Sequence, residues 1–336
     1  MSFFRKNLVT NDWVMFAPNR SARPKDFSEK ENDQVAEILD RAEHVKGCPF
    51  CDGAGEDLLK LTKDPNFEVR TIANKYASLN RDAIPEKSFH HLHNEMINFG
   101  IHDVIIDTKK HNKTLALLSI SELELLVMAY RQRFNQVDHM EHVRHVVIFK
   151  NQGHKAGGSL EHPHSQVYGL PVIPFQSRVR THEMENYYHS HNSCLICDTL
   201  ECEIKDQVRM VCENEEFAVF VPYASLSPYH LWIVPKTHNA CFGDISDDQV
   251  KAMGDILKRT FHKCFYHLNN MDFNFIIQSL SHREKGLLHF HWYMSVIFHY
   301  KRRGGIEFAG GLFVNPLPPE EAAFNLRNIP DFDEEN

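Results

Sequence analysis

The stretch Gly157-Gly158-Ser159-Leu160-Glu161-His162-Pro163-His164-Ser165-Gln166 gathers the side chains best able to do chemistry in this 336-residue chain. In extended backbone, alternate side chains share a face. That places His162, His164 and Gln166 together, with neighbouring imidazoles about 6.5–7 Å apart by strand rise. Two imidazoles and a carboxamide on one face can hold a metal, attack a phosphorus or steady an anion. Pro163 removes a backbone donor, so this piece is expected at a sheet edge or a bulge. The Gly157-Gly158 pair suits a tight turn where backbone approaches a ligand. The apolar run before it, 145–149, reads as a buried strand.

The chain has eight Cys, and four of them form two C-x-x-C pairs, Cys48/Cys51 and Cys194/Cys197. Thiolates at i and i+3 in a turn have the geometry of a zinc knuckle. In a reducing compartment such pairs indicate metal or redox chemistry rather than a disulfide framework. Cys202, Cys212, Cys241 and Cys264 lack that spacing and are read as packing residues.

The elements that position these groups repeat. Cys51 lies 25 residues before Tyr76, and Cys197 lies 26 before Tyr223. His111 and His162 are 51 apart, as are His238 and His289; Asn151 and His162 are 11 apart, as are Gln278 and His289. Matched spacings of this kind indicate two copies of one unit, here 1–175 and 185–320, with a linker over 175–193 and an acidic tail over 321–336. Within the first copy, 67–79 and 102–106 read as strands. The stretch 115–134 has helical periodicity, with Ser119 or Ser121 as N-cap and Glu124 completing a capping box from Ser121. In the second copy, 216–226, 231–235 and 273–278 read as strands, and a helix opens at Ser246 and runs to about residue 268.

Each copy offers a Cys2His2 set, a closed zinc arrangement with no open position for water. The sets are Cys48, Cys51, His111 and His162 in the first, and Cys194, Cys197, His238 and His289 in the second. In the second copy His230, His291 and His299 compete as ligands. Two structural zincs are therefore expected. The second copy has no Gln two residues beyond its second His, which points to one working site, in the first copy. Two arginines, Arg20 and Arg23, fall in a Pro-bounded loop after a strand near the N-terminus.

Composition is that of a soluble globular protein: 42% apolar, 24% charged, net charge −8 and pI about 6.3. No general basic field invites nucleic acid, and no apolar run approaches the ~20 residues of a membrane helix. No signal peptide is visible at the N-terminus, so the expected location is cytoplasmic. An anionic substrate would need local Arg, Lys, His or metal.

Taken together, these motifs resemble the galactose-1-phosphate uridylyltransferase and ADP-glucose phosphorylase branch of the histidine-triad superfamily. The resemblance rests on His162-Pro163-His164-Ser165-Gln166 after Asn151-Gln152-Gly153, on the run from Trp13 to Pro24, and on His111-Asn112-Lys113-Thr114-Leu115. It rests also on Gly304-Gly305-Ile306-Glu307 and Val314-Asn315-Pro316. It implies an α+β fold of two tandem histidine-triad-like units, each an antiparallel sheet with packed helices and a Cys2His2 zinc site. It also implies that His164 is a nucleophile and that Gln166 contacts the transferred phosphoryl group. Asn74, Asn151 and Ser159 then fall on nucleotide-contacting positions, with the Gly158 backbone adding a donor. Ser165 stands where many uridylyltransferases carry Gly or Cys, which is more like the phosphorylase side. The implied partners are a nucleoside diphosphate sugar and a sugar 1-phosphate or phosphate. Members are often dimers, so a homodimer is expected. A hydrolase, a non-catalytic zinc-stabilised nucleotide-binding protein and a thiol redox protein are the competing readings.

Overall fold

The computed structural model describes residues 1–22, 33–64, 67–284, 286–300 and 304–332. It is an α+β fold around a ten-stranded, wholly antiparallel sheet. One half of the sheet comprises β3 (Asp57–Asp64), β4 (Phe67–Ala73), β7 (Ile101–Ile106), β8 (His145–Gln152) and β9 (His164–Leu170). The other comprises β10 (Met210–Glu213), β11 (Phe217–Phe220), β12 (Leu231–Pro235), β13 (Phe273–Gln278) and β14 (Tyr293–Phe298). From its outer edge inward the first half reads β3-β4-β7-β9-β8, and the second reads β10-β11-β12-β14-β13. The two sets of five thus run in one order, and β8 and β13 pair antiparallel at the seam.

Two long helices cover one face. α2 (Ile120–Asp138) buries Leu123, Leu126, Val127, Tyr130, Phe134 and Val137; α5 (Asp247–His267) buries Val250, Met253, Ile256, Leu257 and Phe261. Ser119 caps α2, its hydroxyl accepting from the Glu122 N–H and the Glu122 carboxylate accepting from the Ser119 N–H. The expected box between Ser121 and Glu124 does not form, because the extended backbone of a cap belongs to Ser119 and Glu124 turns out to Lys63. Ser246 and Gln249 form the same box on α5.

Smaller elements complete the chain. β1 (Phe3–Asn7), β2 (Asp12–Phe16) and β15 (Phe313–Asn315) make a three-stranded sheet joining the two ends of the chain, and β5 (Lys87–His90) and β6 (His93–Met96) form an exposed hairpin. The helices α1 (Gln34–Leu39), α4 (Leu195–Asp206) and α6 (Gly305–Gly310) are short. The expected linker is mostly helical, α3 (Phe175–His191), and buries Met184. The expected acidic tail begins inside α7 (Pro319–Arg327), where Ala322, Ala323 and Leu326 are buried; residues 333–336 lie outside the described part.

One expectation is reversed by the sheet order. β9 is an interior strand between β7 and β8, not an edge. Pro163 is accommodated because it immediately precedes the strand, where its carbonyl accepts from the Asp107 N–H at 3.1 Å and its missing donor breaks no ladder.

Candidate active site

The register of β7 against β9 pairs Ile106 with His164, Val104 with Gln166 and His102 with Tyr168. Paired residues in an antiparallel sheet project to the same side. His164, Gln166, Tyr168 and His102 therefore share the face opposite α2 and α5. Ser165, one residue out of phase, points into the core and does not line the site; its hydroxyl lies 2.6 Å from the Tyr130 hydroxyl and donates to Asp107 at 2.9 Å.

The geometry of His164 fixes its tautomer. Nδ1 lies 2.9 Å from the carbonyl oxygen of His162, and a carbonyl can only accept. Nδ1 therefore carries the proton and Nε2 keeps its lone pair. Burial, reinforced by the nearby Lys150 charge, pushes the imidazole pKa below its ordinary value, which favours the neutral, nucleophilic form. Phe50, from the Cys48–Cys51 turn, meets the His164 ring edge-on at 5.5 Å and the His162 ring at 5.6 Å.

Behind His164, on the other face, lies a buried ion pair. Lys150 Nζ donates to Asp107 at 2.8 Å and to the carbonyl of His164 at 2.9 Å, and both residues are buried. Removing one member of such a pair leaves an uncompensated buried charge. Lys150→Met is expected to cost about 3–5 kcal/mol of stability, read as a shifted denaturant midpoint; a cost below about 1 kcal/mol, the range of exposed pairs, would refute the pairing.

The loop after β8 is braced from across the seam. His299 Nε2 donates to Asn274 Oδ1 at 2.6 Å. Asn274 Nδ2 in turn donates to Asn151 Oδ1 at 2.8 Å and to the Ala156 carbonyl at 2.9 Å. Asp272 accepts from the Lys155 N–H at 2.6 Å. Gly153 packs against this carboxylate with φ +85°, and a Cβ there would sit 2.1 Å from Asp272 Oδ1, so only glycine fits. Asn151, its oxygen engaged by Asn274, is left with its NH2 as a donor.

Other expected residues are placed less tightly. Asn74 is half-buried beside His102, Gly158 closes the turn through an N–H bond to the Gly153 carbonyl at 2.9 Å, and Ser159 is exposed. Arg20 is exposed in a 3-10 helix, Pro18–Ala22, with no hydrogen bond to the other site residues among those described. Arg23 lies outside the described residues.

Both Cys pairs meet two imidazoles. In the first cluster the ligand atoms of Cys48, Cys51, His111 and His162 lie within 4.8 Å of one another. His162 Nδ1 is 3.7 Å from the Cys48 sulfur and 3.4 Å from that of Cys51, and His111 Nδ1 is 3.5 Å from Cys51. A tetrahedral zinc with ordinary bond lengths needs sulfur–nitrogen edges of about 3.6 Å. His162 Nε2 donates to the Thr108 carbonyl at 2.8 Å, leaving Nδ1 unprotonated and aimed at the sulfurs. The donor set therefore fits zinc.

The second cluster corrects an expectation. It comprises Cys194, Cys197, His238 and His291, not His289. His238 and His291 Nδ1 atoms are 3.2 and 3.3 Å from the Cys197 sulfur, while His289 contributes only a backbone carbonyl near Cys194. The strands explain why: β9 opens two residues after His162, and β14 opens two residues after His291. Between paired strand residues, Phe149 with Gln166 and Ile276 with Ser295, the connection into β14 is two residues longer than that into β9, so the matched spacing of 51 picked the wrong His. Tyr293 then stands at the position of His164, and Ser295 at that of Gln166.

Sequence profiles identify the family. The galactose-1-phosphate uridyl transferase N-terminal domain matches residues 1–174 and the C-terminal domain of the same enzyme matches 180–328. The chain belongs to the galactose-1-phosphate uridyl transferase family. Among members of this family, an ADP-glucose phosphorylase of Arabidopsis thaliana is 30% identical over 97% of this chain and 92% of its own length. A galactose-1-phosphate uridylyltransferase of Thermotoga maritima is 28% identical over 97% of this chain and 98% of its own. A crystal structure of the Arabidopsis ADP-glucose phosphorylase with bound ADP-glucose superposes with a TM-score of 0.82 at 28% identity, covering 98% of this chain and all of that one.

Several residues around His164 and the loop after β8 had not been expected from the sequence: His102, Phe50, Lys150, Asp107 and Asn274. His102 alone left a signal, an imidazole in phase with Val104 and Ile106 on a strand whose one other polar residue is Asp103.

Proposed function

We propose that the chain transfers a nucleotidyl group from a nucleoside diphosphate sugar through a covalent adduct on Nε2 of His164, most like a UDP-glucose–hexose-1-phosphate uridylyltransferase. Membership of the family makes it a nucleotidyltransferase, and one observation carries the mechanism: Nδ1 of His164 is tied to the His162 carbonyl, so Nε2 offers a lone pair beside Gln166. Nε2 attacks the α-phosphorus, the bond from that phosphorus to the bridging oxygen breaks, and sugar 1-phosphate leaves with the electron pair. The ring becomes cationic in the adduct, which strengthens its N–H bond to the His162 carbonyl. An incoming sugar 1-phosphate then attacks the phosphorus through a phosphate oxygen, and the nitrogen–phosphorus bond breaks. The NH2 of Gln166 faces a non-bridging oxygen, contributing about 3–4 kcal/mol to the transition state; the Gly158 N–H, expected as a further donor, is spent on the Gly153 carbonyl.

Cys48, Cys51, His111 and His162 would hold one zinc and Cys194, Cys197, His238 and His291 a second. A zinc with four protein ligands supplies structure and no open coordination position. The first cluster fixes the residue whose carbonyl orients His164. No described helix is long and apolar enough to cross a membrane, and none of the eight Cys is in a disulfide, which suits a cytoplasmic location.

A second reading takes inorganic phosphate as the acceptor. The Arabidopsis phosphorylase, 30% identical over nearly all of this chain, favours it. One experiment covers both. UDP-glucose and ADP-glucose labelled in the α-phosphate are mixed with enzyme lacking acceptor, then chased with galactose 1-phosphate or phosphate. An acid-labile label on the peptide holding His164, discharged to UDP-galactose, is the expected result. Discharge by phosphate to the nucleoside diphosphate establishes the second reading. Turnover with no adduct refutes both in favour of direct transfer or hydrolysis.

A further inference from the structure

We propose that His102 is a positioning residue that turns the NH2 of Gln166, rather than its oxygen, toward the reacting phosphoryl group. The inference rests on nucleotidyl transfer through His164. It starts from the backbone N–H of Ser78, which donates to Nδ1 of His102 at 3.1 Å. Ser78's own hydroxyl is 3.4 Å from that nitrogen and 2.8 Å from the Tyr168 hydroxyl, its closer partner. A neutral imidazole that accepts at Nδ1 carries its proton on Nε2. Nε2 lies 2.8 Å from Oε1 of Gln166, so it donates to that oxygen. With its oxygen held, the carboxamide can only turn its nitrogen outward. The Tyr168 ring packs against the His102 ring, 4.2 Å away and tilted by 32°. Asn74 Oδ1 accepts from the Tyr76 N–H at 2.8 Å, which turns Asn74 Nδ2 to within 2.9 Å of the same Nε2; in this tautomer two N–H groups face each other there and no hydrogen bond joins them.

The other half of the sheet repeats the device without the carboxamide. The Leu226 N–H donates to Nδ1 of His230 at 3.2 Å, and His230 Nε2 lies 2.9 Å from the Ser295 hydroxyl. Leu226 has no hydroxyl to accept from Nδ1, so the backbone N–H alone sets that tautomer. Ser295 occupies on β14 the position of Gln166 on β9. The fold thus builds the same imidazole tautomer twice and gives it a carboxamide to orient only where His164 stands.

The consequence is chemical. Non-bridging phosphoryl oxygens are anionic and can only accept hydrogen bonds. A carboxamide released from His102 rotates, and its oxygen then opposes the charge its nitrogen would stabilise.

The test compares His102→Ala, His102→Gln and His102→Glu, each also combined with Gln166→Ala, by rapid-quench measurement of adduct formation from labelled UDP-glucose and ADP-glucose. His102→Ala is expected to lower kcat about 10–100-fold with KM changed less than about three-fold. His102→Gln can place an amide N–H where Nε2–H stood and should recover most of the loss. His102→Glu offers only acceptors and should be no better than alanine. On the Gln166→Ala background the three substitutions should differ by less than about three-fold, since their effect runs through Gln166. Losses that multiply in the double variants, or a Gln variant no better than Glu, overturn the proposal. Unchanged thermal midpoint and metal content exclude misfolding; should the alanine variant fail to fold, the Gln–Glu contrast decides. Absence of adduct in the unaltered enzyme is a separate outcome, which refutes transfer through His164 and the role of His102 with it.

Discussion

His164→Gly is expected to abolish transfer, lowering kcat on the order of 10⁴-fold or more, while the protein keeps its fold and its metals. The side chain is outside both Cys2His2 clusters, so its loss removes the nucleophile without a ligand. The void left is the shape of an imidazole, lined by Phe50 and the His162 carbonyl. A preformed nucleotidyl-imidazolide should enter it and restore the second half-reaction, passing its nucleotide to a sugar 1-phosphate without ever forming a protein adduct. His162→Gly, two residues away and chemically identical as a substitution, should instead lose one metal and not be rescued. If both variants lost metal, or if His164→Gly kept more than about 1% of wild-type kcat, the division of roles between the two imidazoles would be wrong.

The second large effect concerns metal at the other end of the sheet. Protein prepared without chelators should carry close to two zincs per chain. His291→Ala should reduce this to one and lower the thermal midpoint by about 10 °C, since such ligand sets contribute folding free energy directly. His289→Ala should leave both metals and the midpoint in place. Equal metal loss in the two variants would show that the Nδ1 geometry at Cys197 misidentifies the ligand. Protein with no zinc at all would refute both clusters as zinc sites.

How far the site could be read in advance depended on what fixes each residue. Cys48 with Cys51 and Cys194 with Cys197 are local turns, and their spacing alone carried them. His164 and Gln166 are two residues apart on one strand, so strand periodicity put them on one face before the fold was known. His102, Lys150 and Asp107 depend on which strands neighbour β9 and in what register, and no local pattern encodes that. Phe50 was hidden differently: it lies inside a motif read only for its thiolates. The confusion of His289 with His291 has the same origin as the success with His164. Period-two reasoning cannot separate residues of equal parity, and only the start of β14 distinguishes them. The helical character of the linker and of the start of the tail was hidden because their buried apolar residues, Met184 in one and Ala322, Ala323 and Leu326 in the other, are sparse within polar sequence.

The seam between β8 and β13 makes this chain indivisible. Five consecutive residue pairs, Gln152 with Phe273 through Ile148 with Ile277, stitch the halves together. Severed near residue 177, the N-terminal piece would present β8 as a raw edge bearing Ile148 and Phe149, and the C-terminal piece would present β13 bearing Phe275 and Ile276. Unpaired interior strands of that kind self-associate, so neither fragment would live as a soluble protein by itself. The clamp from Asp272 and Asn274 makes the dependence chemical as well. The C-terminal half, with Tyr293 where the N-terminal half has His164, still grips the loop after β8, so a fragment without it would lose the brace on that loop as well as the strand partner.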